Sequence, residues 1–168
     1  MKKALMVLSI TCLGQITFAH AATDWTPYLK PMMSGCSYPN PTDDLPARYK
    51  DSVASKKVKR DSYNYDILDY EGDMITTYDL KNATAFGQSI LRVEYLQGYE
   101  WSHLKLYFKD TKFTELRSKF KLPESNEQAG EYITVTKNNS SGYEVEDIGY
   151  ITLEFNRKEK SITCYGGF

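Results

Sequence analysis

SILRVEYLQGYEWSHLKLYFKDTKFTELRSKF, residues 89–120, reads as strand, turn, strand and helix. Leu91, Val93 and Tyr95 alternate with Arg92 and Glu94. Beyond a turn at Gln97-Gly98, Leu104, Leu106 and Phe108 alternate with His103, Lys105, Tyr107 and Lys109. A two-residue period of this kind gives each strand one apolar and one wet side. Leu91 can oppose Leu104 or Leu106 only across a loop of even length, because an odd loop sets a core residue against a wet one. Asp110-Thr111 can then cap a helix with Phe113, Leu116 and Phe120 on one stripe.

Working outward, the same period recurs. Ile133 and Val135 alternate with Tyr132 and Thr134, Ile151, Leu153 and Phe155 with Tyr150, Thr152 and Glu154, and Ile162 and Cys164 with Thr163 and Tyr165. Upstream, Tyr63 to Leu80 reads as a hairpin turning at Glu71-Gly72-Asp73. Trp25, Tyr28, Leu29, Met32, Met33 and Cys36 fall at helical spacing, with Pro27 suited to a first turn and Pro31 expected to kink the helix. Ala47 to Val53 suggests a short helix. Lys56-Lys57-Val58-Lys59-Arg60 is the one dense basic run and reads as a solvated loop, with steering of an acidic partner or lipid head group as its functional alternative. The fold class is therefore α+β. It is an antiparallel sheet of about five to seven strands, with an N-terminal helix and one mid-chain helix packed on one face.

Met1–Ala21 reads as an export signal: Lys2-Lys3, an apolar run from Ala4 to Gly14 too short to span a bilayer, and the small-x-small site Ala19-His20-Ala21. Residues 22–168 then form a single domain, long enough to bury a core. The signal has a Gram-negative bacterial style, so the expected location is periplasmic or secreted. Cys12 belongs to the discarded signal. Cys36 and Cys164 remain, and a pair of cysteines in an oxidising compartment implies one disulfide. Taking Lys2 and Lys3 from the 21 basic residues leaves 19 against 22 acidic ones, a balance that does not suggest nucleic acid.

Chemistry is sparse. After the signal, His103 is the sole histidine, read as an exposed surface group. With one histidine and an oxidised cysteine pair, neither a Cys-His nucleophile nor a multi-histidine metal site is available, and no cofactor is implied. Carboxylates are plentiful. Asp66, Asp69, Glu94 and Glu100 are the candidates for a hydrolase acid pair, although half-wet strands carry such residues anyway. The positive signal is aromatic. Fourteen tyrosines suit half-exposed positions. The strand register places Tyr107, Tyr132, Tyr150 and Tyr165 outward beside Lys105, with Tyr99 and Trp101 at the hairpin tip. Such side chains dominate protein interfaces, and ordinary Tyr–Thr packing across strands is the competing reading. The expected function is a small, non-enzymatic binding protein of the inhibitor or immunity type, whose partner is a secreted toxin or cell-wall hydrolase. An envelope structural or assembly accessory and a carboxylate-dependent hydrolase are the alternatives.

Overall fold

The structure, a computed structural model, describes residues 21–39, 45–61, 72–125, 133–146 and 149–167. Met1–His20 lies outside them, as do Tyr63–Leu68, Tyr132 and both Asp66 and Asp69.

Among the described residues, the alternating stretches become one mixed, mostly antiparallel sheet of nine strands. In chain order they are β1 (Thr23–Asp24), β2 (Val53–Asp61), β3 (Asp73–Ala85), β4 (Gln88–Gln97), β5 (Trp101–Phe108), β6 (Thr134–Asn139), β7 (Gly142–Glu146), β8 (Tyr150–Asn156) and β9 (Ser161–Gly167). Across the sheet the order is β1-β3-β4-β5-β9-β8-β7-β6. β2 lies along the first part of β3, and β1 runs parallel to its end. The expected five to seven strands are therefore too few.

The largest single omission is β2. Lys56–Arg60 is not a loop but part of a strand, with Lys57 opposite Thr77 and Arg60 opposite Met74. Its basic residues are exposed on both sides, so no apolar alternation marks it. Met74–Leu80 pairs with β2 and with β4, and Tyr63–Leu68, the strand expected to pair with it, lies outside the described residues.

The hairpin of β4 and β5 pairs Val93 with Leu106 and Tyr95 with Leu104, so the loop has the required even length. Leu91 departs from the expected pattern. The register shifts between Ile90 and Arg92. Ile90 turns inward in its place, and Leu91 is 50% exposed. One extra residue in a strand produces this local reversal.

Both expected helices are shorter and tighter. The N-terminal one is α1 (Thr26–Leu29), which runs into a 3₁₀ turn at Lys30–Met33 where Pro31 interrupts it. A second short helix, α2, spans Ala47–Lys50. The mid-chain helix is a 3₁₀ segment, Lys112–Lys119. Phe113 and Leu116 lie three residues apart and are buried together, which suits three residues per turn. The backbone N–H of Lys112 donates to Asp110 Oδ1 (2.9 Å), fixing the start.

These segments cover one side of the sheet. Trp25, Leu29 and Met32 join Phe113, Leu116 and Phe120 over Val93, Leu104, Leu106, Ile162 and Leu153. Phe113 stacks on Phe108 with ring centroids 4.9 Å apart. Tyr49, Tyr78, Tyr95 and Tyr143 are also buried, so the tyrosines are shared between core and surface rather than reserved for half-exposed sites. Burial pushes the Tyr143 hydroxyl up to about 12. Cys36 and Cys164 form the expected disulfide, 128 residues apart in sequence with Cα atoms 5.3 Å apart. Among the described residues, no helix is long and apolar enough to cross a membrane.

Candidate functional site

The tip of the β4–β5 hairpin is built around Gly98. Its N–H donates to the Trp101 carbonyl (2.7 Å), closing the turn after the Gln97–Ser102 pair. A Cβ on Gly98 would lie 2.7 Å from Trp101 Nε1, so only a glycine lets the indole settle over the turn. On the adjacent strand β9, opposite Trp101, Gly167 plays the same part for Tyr150. A Cβ there would lie 2.7 Å from the phenol ring.

Between these features opens a cleft of about 590 Å³. Tyr99, Trp101 and Tyr150 form its rim, and Tyr95, Ile133, Val145 and Ile151 line it with Gly166 and Gly167. Among the described lining residues Glu100 is the one acidic side chain, and none is basic. The rim residues are 54%, 39% and 44% exposed respectively, and they make up half of the large hydrophobic side chains exposed among the described residues. Nearby, Tyr38 is hydrogen-bonded to Ser102 (OH to Oγ, 2.7 Å), and its ring meets Tyr95 edge to face at 6.2 Å. Burial pushes the Tyr38 hydroxyl up.

Lys105, Tyr107 and Tyr165 occupy the sheet face opposite the core, in a polar network. His103 Nε2 stands 3.3 Å from Glu94 Oε1, and the Tyr107 hydroxyl donates to Glu94 Oε2 at 3.5 Å. Lys105 Nζ donates to Glu159 Oε2 (2.6 Å) and also lies 5.1 Å from the Tyr107 ring centroid. Farther along, Asp79 receives Lys57 at 3.0 Å and Arg92 at 2.8 Å, which hold its carboxyl well below the usual range. His103 is only 9% exposed, with Tyr165 and Trp101 rings on either side, so it is not the surface group expected. Burial also pushes the Tyr107 and Tyr165 hydroxyls up.

The seven aromatic and basic candidates thus divide. Tyr99, Trp101 and Tyr150 converge on the cleft, Lys105, Tyr107 and Tyr165 belong to the polar network, and Tyr132 lies outside the described residues. Of the acid-pair candidates, Glu94 is bound into the polar network and Glu100 lines the cleft. Sequence reasoning missed Ile133, Val145 and the glycines as parts of the cleft. The signal was present in Gly166-Gly167, two residues without side chains in a strand whose neighbour begins with Tyr150. Compared with protein-family models, curated proteins and solved structures, the chain finds no significant match at any of the three levels.

Proposed function

We propose that the protein is an exported binding protein of the inhibitor or immunity type, acting in the periplasm or outside the cell by contact with a secreted toxin or cell-wall hydrolase. The observation that supports this most directly is the convergence of Tyr99, Trp101 and Tyr150 on one cleft while exposed to solvent. Isolated exposed apolar residues are ordinary, but three aromatic ones rimming a single concavity match the make-up of an interface hot spot. Tyr and Trp offer large contact area with few rotors to freeze on binding. The supporting frame is rigid, since the tip is continuous with two long strands and the opposite wall belongs to the same sheet.

The test compares capture of periplasmic proteins by the immobilised protein and by its Tyr99→Ala/Trp101→Ala variant. Thermal melting of both serves as the control for folding. The reading expects one partner whose capture falls at least about tenfold in the variant, as hot-spot truncation requires. Equal capture by the two proteins at equal thermal stability overturns it.

A further inference from the structure

We propose that the cleft at the hairpin tip takes a cationic side chain, an arginine or lysine carried on a loop of the protein partner. This deepens the binding-protein reading and rests on it.

The argument is one of charge. Aromatic rings present a negative face, and tryptophan attracts a cation most strongly. Trp101, Tyr99 and Tyr150 offer three such rings around one opening, and Tyr95 lines it further in. Glu100 adds a carboxylate, the one acidic side chain among the described lining residues, none of which is basic. An anionic ligand would meet ring faces and a carboxylate of its own sign. A purely apolar anchor would strip water from Glu100 without supplying a counter-charge, at a cost in affinity. A guanidinium or ammonium on an alkyl stem satisfies both demands, laying methylenes on the rings and its head against the carboxylate. Lys105, four residues along β5 from Trp101, is already engaged with Glu159 at 2.6 Å. The volume, about 590 Å³, lies within the ordinary range for a site that encloses a whole side chain with its flanking backbone.

The chain has two tryptophans, which supply an internal reporter and an internal control. Trp101 stands at the rim, whereas Trp25 is fully buried with its indole N–H donated to Ser52 Oγ at 2.9 Å. The experiment titrates the ¹⁵N-labelled protein, at constant ionic strength, with N-acetyl-arginine amide, with N-acetyl-lysine amide, and with the uncharged isostere N-acetyl-citrulline amide. The two indole resonances are assigned with Trp101→Phe. The proposal expects the Trp101 signal to move saturably with the arginine or lysine probe while the Trp25 signal stays fixed. Citrulline should bind roughly three- to tenfold more weakly, and Glu100→Gln should reduce cation affinity by a similar factor. Equal binding of citrulline overturns it, as does an unmoved Trp101 signal at probe concentrations up to about 100 mM, far above the millimolar range of a weak site. If the cation probes fail while the Tyr99→Ala/Trp101→Ala variant still loses its partner, the binding-protein reading stands and the cationic occupant alone is rejected.

Discussion

His103 Nε2 lies 3.3 Å from Glu94 Oε1 on the sheet face opposite the core, tying β5 to β4 by a side-chain contact in addition to the backbone ladder. The hydrogen bond from His103 holds the Glu94 carboxyl below its usual value of 4.5, against the opposing effect of burial. A carboxyl whose folded pKa is depressed stabilises the fold fully above its unfolded value. That contribution disappears as pH falls through the folded value, because the unfolded chain then binds more protons. Urea midpoints followed from neutral pH to roughly pH 3 should therefore fall more steeply for the natural protein than for Glu94→Gln. Parallel curves would show that the pair contributes nothing to the acid limb.

The disulfide closes a loop of 128 residues between the end of the N-terminal helical region and the last strand. Loss of so long a closure through Cys36→Ser/Cys164→Ser should lower unfolding free energy by about 2–5 kcal/mol. Chemical denaturation of the oxidised protein and of the double variant measures the difference. Reduction of the natural protein should reproduce it.

Leu91 and Leu106 make a matched comparison of two leucines in adjacent strands. Leu106 is fully buried, whereas Leu91 sits at the register shift and faces solvent. Leu106→Ala should cost about 2–5 kcal/mol, and Leu91→Ala should stay within about 0.5 kcal/mol. Equal losses at the two positions would place Leu91 in the core after all.

Arg117 fastens the 3₁₀ segment to the β6–β7 hairpin. Its Nε donates to the Asn139 carbonyl (2.9 Å) and Nη2 to Asn138 Oδ1 (2.6 Å), while Nη1 donates to the Phe120 carbonyl (3.0 Å). Arg117→Ala should destabilise by about 1–3 kcal/mol and raise amide exchange in Gly142–Glu146. Arg117→Lys should recover little of this, because a single ammonium cannot reproduce the fork.

The sequence carried the centre of the sheet well. Val93, Tyr95, Leu104, Leu106 and Phe108 all turn inward as their alternation predicts, and Cys164 meets Cys36 from the same register. It failed where the usual cause of alternation was missing. The basic residues of β2 are wet on both sides, so burial writes no period into Lys56–Arg60. Leu91 failed for a different reason: a single inserted residue inverts its side while leaving the local pattern of letters intact. The cleft was half legible, because its rim follows from the strands, whereas its depth depends on Gly166 and Gly167 meeting side chains from distant segments.

The position of β9 has a consequence for biogenesis. The last strand, Ser161–Gly167, is inserted between β5 and β8, near the middle of the sheet rather than at an edge. A nascent chain emerging from the ribosome N-terminus first can pair β3 with β4 and β5, and β6 with β7 and β8, but the two halves remain without their common seam. The two halves join only when β9 pairs with β5, as in Leu104 opposite Cys164. A seam between segments so far apart in sequence is the kind of contact that slows folding, so its formation should set the pace at which the sheet closes.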